Sequence, residues 1–162
     1  MADKNIYTVV VADDEDELRE AVCKMLTWEA LGFHHEGNAS NGLDALELVA
    51  RLEPDLLLTD IRMTYISGID LAREVREIRP AMHIAFLSGF DDFEYAKQAI
   101  QYNIISYMLK PLTMDGLAAE LKTIHEKIDA RFAGRRRADS AHAERAARII
   151  PLVLARYENA PE

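Results

Sequence analysis

Cysteine is almost missing: Cys23 is the only one among 162 residues. No internal disulfide can form, and no cysteine cluster is present to support a zinc site. Lying inside an apolar pattern of helical spacing, this thiol reads as core filler. Long apolar runs are missing too. No stretch approaches the roughly 18 residues of a membrane span, and the N-terminal MADKNIY has no signal-peptide h-region. The expectation is a soluble cytoplasmic protein with no membrane partner. Positive charge is scarce over most of the chain, with 12 Lys and Arg against 24 Asp and Glu in residues 1–129, and 7 against 4 in residues 130–162. So acidic a body argues against a nucleic-acid groove, because neutralising phosphates takes clustered basic residues. The one basic run, Arg135 to Arg137, reads as solvated linker.

What is present is ordinary for a globular protein: 49% hydrophobic and 29% charged residues, enough to bury one core. YTVVVA (7–12) is a short β-branched run, as in a strand buried on both faces. Leu18, Ala21, Val22, Met25 and Leu26 then recur at helical spacing, predicting a helix that ends near Gly32. FHHEGNAS is a weak strand whose alternating His34 and His35 are read as surface residues. The pattern repeats with a helix over 41–52, a strand LLLT (56–59), a helix over 68–78 stopped by Pro80, and a strand HIAFLS (83–88). A helix over 92–102 with Asn103 as left-handed cap, a strand SYMLK (106–110) and a helix from about 113 to 131 complete the set. Five strands alternating with five helices predict an α/β fold, a doubly wound parallel sheet covered on both faces.

Such a sheet places its chemistry beyond the carboxyl ends of its strands. The residues there are Asp13 and Asp14, Asp60, Ser88 and Lys110. Three converging carboxylates repel one another unless a cation compensates, and a hard divalent ion such as Mg²⁺ suits that donor set. Asp13 and Asp14 read as its holders, with Asp60 sharing it. A carboxylate is also a nucleophile toward phosphorus, with a metal, Lys110 and Ser88 placed to stabilise charge on phosphoryl oxygens.

VVVADDEDEL, LLLTDIRM followed by SGID, AFLSG and YMLKP, in that order and spacing, resemble the receiver domain of two-component response regulators over about residues 5–128. The resemblance implies a flavodoxin-like sheet of strand order 2-1-3-4-5 and phosphorylation of Asp60 by a sensor histidine kinase. It implies Mg²⁺, replaceable by Mn²⁺, held directly by Asp14, Asp60 and the main-chain carbonyl of Arg62, with Asp13 acting mostly through water. Lys110 would pair with the carboxylate or phosphate, Ser88 would move toward the phosphoryl group, and Tyr107 would turn inward behind it. The face made by helix 4, strand 5 and helix 5 would then shift its population. Arg62 and Phe90, two residues beyond Asp60 and Ser88, would restrict the attacking water and lengthen the life of the phosphoryl group.

SGFDDFEYAKQAIQYNIISYMLKPL is more specific and resembles receivers of the AraC-type, YesN-like transcriptional regulators. The expected division is a receiver over 1–130 and a linker or helical extension over 131–162, leading to an output domain outside this chain. DNA would be reached only through that output. A homodimer through the helix 4, strand 5, helix 5 face or through the extension is left open. In the extension, Ala143, Ala147, Ile150, Leu154 and Tyr157 form a two-heptad seam interrupted by Pro151, predicting a kinked helix or two short ones. One departure stands out: Thr64 and Tyr65 follow Met63 where the family usually has Pro, predicting unusual, freer loop geometry. Asn103 and Ser106 stand where Gly and an acidic residue are common, and both suit turns. The competing readings are a scaffold-like pseudo-receiver that is never phosphorylated, and an aspartate-nucleophile phosphohydrolase. The latter needs an acid where this chain has Arg62.

Overall fold

The computed structural model of the chain describes residues 5–89, 93–132, 149, 150 and 154. Their element order is β1 (Tyr7–Ala12), α1 (Asp16–Met25), a 3-10 turn (Glu29–Leu31), β2 (Phe33–Ala39), α2 (Gly42–Leu52) and β3 (Leu56–Thr59). There follow α3 (Gly68–Ile78), β4 (His83–Ser88), α4 (Phe93–Gln101), β5 (Ser106–Leu109) and α5 (Met114–Phe132). The strands form one parallel sheet in the order β2-β1-β3-β4-β5. The predicted doubly wound, flavodoxin-like architecture is therefore the one present.

Alternation along the strands divides the core into two layers. Val10, Ala12, Leu57, Ile84 and Phe86 face one way and pack with Leu46 and Val49 of α2, Ala72 and Val75 of α3, and Ala99 of α4. Val9, Val11, Leu56, Leu58, Ala85 and Leu87 face the other way, onto Val22 of α1 and Leu117, Leu121 and Ile124 of α5. Burial of each such large side chain contributes about 1.5–3 kcal/mol. Because β1, β3 and β4 are covered on both faces, their sequences read as unbroken apolar runs.

Local signals set most boundaries. Asn41 caps α2 by accepting from the Asp44 N–H at 2.8 Å, and Ser67 caps α3 by accepting from the Asp70 N–H at 3.1 Å. Thr113 does the same for Gly116 in the first turn of α5. Asn103 does take a left-handed conformation after α4 (φ 56°). The first helix differs from its prediction, stopping at Met25 rather than near Gly32. Leu26, Trp28 and Leu31 all bury in the α1–α5 layer, and positions 26 and 28 lie about 200° apart on a helix, so one straight helix cannot send both inward. The chain instead extends at Leu26 and makes the 3-10 turn, which Gly32 ends at φ 88°. His34 is exposed as expected, but His35 is half-buried, stacked on Trp28 and 3.4 Å from the Cys23 sulfur.

Arg76 of α3 ties several segments together. Its guanidinium donates to the main-chain carbonyls of Tyr102 (2.8 Å) and Asn103 (3.2 Å) just after α4, and to those of Pro80 (3.2 Å) and Met82 before β4. Of the predicted C-terminal seam, Ile150 and Leu154, with Ile149, pack against the α2–α4 layer, while Ala143, Ala147, Pro151 and Tyr157 lie outside the described residues.

The crossing of β3 into α3 leaves no room for a side chain at Gly68. A Cβ there would lie 2.0 Å from the Asp60 carbonyl oxygen and 2.8 Å from Ile61 Cα. Gly68→Ala should therefore destabilise the fold by about 1–3 kcal/mol. Urea unfolding checks this, and an unchanged midpoint would show that the crossing relaxes freely.

Candidate functional site

Three strand ends meet at one edge of the sheet. Asp13 follows β1, Asp60 follows β3 and Lys110 follows β5, each held by main-chain bonds that continue the sheet. The Asp13 N–H donates to the Ala39 carbonyl at 3.0 Å, the Asp60 N–H to the Ala12 carbonyl at 2.9 Å, and the Lys110 N–H to the Ser88 carbonyl at 2.7 Å. The acids are thus fixed by the ladder rather than by loops. Asp60 Oδ1 also accepts from the Ile61 N–H at 2.7 Å, and Asp13 Oδ1 from the Glu15 N–H at 2.9 Å.

The Lys110 ammonium stands among the carboxylates. It lies 2.9 Å from Asp13 Oδ2, 3.0 Å from Glu15 Oε1 and 3.3 Å from Asp60 Oδ2. Asp13 and Asp60 are buried whereas Glu15 is exposed. Burial raises the pKa of the Asp60 carboxyl, the neighbouring Asp13 charge adds to this, and Lys110 opposes both. Asp13 is raised for the same first reason, with the Glu15 N–H and Lys110 pulling the other way. Burial acts to lower Lys110, yet its bonds and ion pairs with the three acids hold it above the ordinary lysine value. Asp13, Glu15 and Asp60 each offer an oxygen within 4.8 Å of the others. That all-oxygen, anionic donor set fits a hard divalent cation, whose charge would add to that of Lys110 beside the two buried carboxylates.

Of the residues singled out in the sequence, Asp13, Asp60 and Lys110 come together as expected. Asp14 is exposed and is not one of the three clustered acids. Ser88 is fully buried at the end of β4, adjoining Lys110 through the main-chain bond above. Tyr107 is half-buried, its ring edge-to-face with Phe86 at 6.3 Å. The Arg62 side chain is exposed, and Phe90 lies outside the described residues. Glu15 was missed because only the Asp13–Asp14 pair was weighed, yet the unbroken acidic run 13–17 was the available signal.

The loop after Asp60 has the unusual geometry expected from its missing Pro, but its turn is tied by main-chain bonds rather than left freer. Tyr65 takes φ 70°, and the Ile66 N–H donates to the Thr64 carbonyl at 2.9 Å, closing a three-residue turn of the rarer, positive-φ kind. The Thr64 carbonyl also accepts from the Gly42 N–H at 3.2 Å, fastening the turn to the start of α2.

A family model described as the response regulator receiver domain matches residues 9–122. The chain belongs to the receiver domain family. Among curated relatives, this receiver is 34% identical over 131 residues to the uncharacterized transcriptional regulatory protein YesN of Bacillus subtilis, covering 75% of this chain and 36% of YesN. It is 36% identical over 107 residues to the transcriptional regulatory protein HptR of Staphylococcus aureus, covering 66% of this chain and 42% of HptR. The chain thus spans less than half the length of these relatives. Among solved structures, the receiver domain of AraT, a response regulator from Geobacillus stearothermophilus, superposes with a TM-score of 0.72 at 31% identity, covering 77% of this chain and 97% of that one. Among the described residues, no helix of this receiver is long and apolar enough to cross a membrane.

Asp60→Asn removes one crowded negative charge while Asp13 and Glu15 still face Lys110. With chelator present, the variant should be more stable than wild type by about 1 kcal/mol. Urea denaturation measures this, and a loss of stability would mean that the Lys110 pairing outweighs desolvation and repulsion at Asp60.

Proposed function

We propose that this receiver accepts a phosphoryl group on Asp60 from the phosphohistidine of a sensor histidine kinase and thereby switches a protein-interaction face. The observation that supports it most is a buried carboxylate at a strand end with a lysine ammonium 3.3 Å away and a second acid beside it. An Asp60 oxygen attacks phosphorus, the histidine nitrogen leaves, and Lys110 and Ser88 donate to the phosphoryl oxygens as charge builds on them. Mg²⁺, or Mn²⁺ in its place, would be held by Asp14, Asp60 and the Arg62 main-chain carbonyl, with Asp13 acting through water. It supplies the positive charge that lets an anionic donor approach three acids.

Phosphorylation adds negative charge and acceptor oxygens at Asp60. Ser88 then moves toward the new oxygens, Tyr107 turns inward behind it, and the face of α4, β5 and α5 shifts toward its active population. The catalysis is confined to the protein's own phosphorylation and dephosphorylation, so the role is signalling, not metabolic turnover. A phosphohydrolase of this general design needs an acid two residues after its nucleophile, and Arg62 stands there. The names of YesN and HptR support transcription as the process controlled, through an output domain outside this chain that carries any DNA contact. A homodimer through the α4–β5–α5 face or the C-terminal extension, and action in the cytoplasm, belong to the same reading.

Incubation with Mg²⁺ and acetyl phosphate should add one phosphoryl mass, seen by intact-protein mass spectrometry, and chelator or Asp60→Asn should abolish it. A wild type that stays unlabelled would leave the pseudo-receiver reading. Continuous release of phosphate from added phosphoesters would favour the hydrolase. For the lifetime of the labelled state, Phe90→Ala should speed hydrolysis several-fold, and an unchanged decay rate would remove Phe90 from the mechanism.

A further inference from the structure

The acid missed in the sequence makes an unusual commitment. Glu15 is the residue before the first turn of α1, with extended backbone (φ −81°, ψ 101°), where a side chain ordinarily bonds back to its own helix. It makes no such bond. Its carboxylate reaches across the sheet edge to Lys110 at 3.0 Å, while its main-chain N–H holds Asp13 Oδ1 at 2.9 Å. One residue therefore fixes both an acid and the cation of the site.

An ammonium has three N–H donors and no more. In this receiver all three have a carboxylate to face, so Lys110 can meet a phosphoryl oxygen only by giving one of them up. While a phosphoryl donor approaches, Asp60 is still a carboxylate beside Asp13, their side chains 7% and 4% exposed, and leaving either charge buried without its partner is costly until formation of the acyl phosphate removes the Asp60 charge. The Glu15 side chain is 62% exposed and returns to water on release. It also lines, with Lys110, a groove formed by Leu18, Val22, Leu112 and Met114.

We propose that Glu15 is a positioning residue for phosphoryl transfer: it holds Lys110 in the resting site and is the partner that Lys110 leaves when it turns to the phosphoryl group on Asp60. This rests on the reading of Asp60 as phosphoacceptor. Glu15 sets how readily the ammonium becomes available, without touching the reacting atoms itself. Its grip is that of an exposed ion pair, so its removal should change the balance modestly rather than abolish it.

The test compares wild type, Glu15→Gln and the charge-matched control Glu17→Gln, whose acid is exposed in the first turn of α1. Two measurements are made on each. Affinity for beryllofluoride with Mg²⁺ present, followed through amide NMR spectra, should be about two- to five-fold tighter in Glu15→Gln and unchanged in Glu17→Gln. Hydrogen exchange at the Lys110 ammonium, measured by NMR in the metal-free protein, should be faster in Glu15→Gln alone. Equal or weaker beryllofluoride binding by Glu15→Gln would overturn the proposal, as would an equal gain in Glu17→Gln, which would reduce the effect to general charge. Unchanged Lys110 exchange would also overturn it. If wild type binds no beryllofluoride, the phosphoacceptor reading fails instead, and the metal-free exchange measurement still decides whether Glu15 holds Lys110.

Discussion

The Lys110 ammonium, set among Asp13, Glu15 and Asp60, is the interaction on which the rest of the site depends. Burial, and for Asp60 the charge of Asp13 as well, disfavours the ionised form of both acids, and the protein opposes this with an ammonium from the end of β5, two strands from β3. The sheet makes this tolerable by fixing Asp13, Asp60 and Lys110 through main-chain bonds that do not depend on their side-chain contacts. Repulsion is therefore held in place rather than relaxed by movement, and the site stays avid for further positive charge.

Placing that strain at the sheet edge leaves the interior simple. Both layers between sheet and helices are built from aliphatic and aromatic side chains, and the strands contribute to each by alternation. Of the buried polar residues, Asp13, Thr59, Asp60 and Ser88 gather where β1, β3 and β4 end, while Glu74, His83 and His125 lie in α3, at the start of β4 and in α5. Ser88 and Tyr107 lie on the adjacent strands β4 and β5, with Tyr107 against Phe86 on the α2–α4 side.

The fold was legible because buried parallel strands have an unmistakable apolar signature, and the helices between them begin and end at Asn41, Ser67, Thr113 and Asn103, whose side chains or torsions punctuate the chain. The early end of α1 was hidden because Leu18, Ala21, Val22, Met25 and Leu26 do keep a helical period, and the break shows only when Leu26 and Trp28, on opposite sides of such a helix, must both turn inward. At the site, strand-end position revealed Asp13, Asp60 and Lys110. Glu15 escaped because residues at helix starts are ordinarily acidic for local reasons, and nothing in a one-dimensional pattern shows a side chain turning away from its helix toward a lysine 95 positions later. Thr64 and Tyr65 were the opposite case, since the missing Pro marked this loop in advance as a place for atypical geometry, which the positive φ of Tyr65 supplies.

Arg76 gives the molecule a clamp. By gathering the carbonyls of Tyr102 and Asn103 together with those of Pro80 and Met82, it fastens the far end of α4 to the entrance of β4. Any rearrangement that parts α4 from β4 must therefore first break charge-assisted bonds to these carbonyls, so the two elements are held to move as one piece at that end.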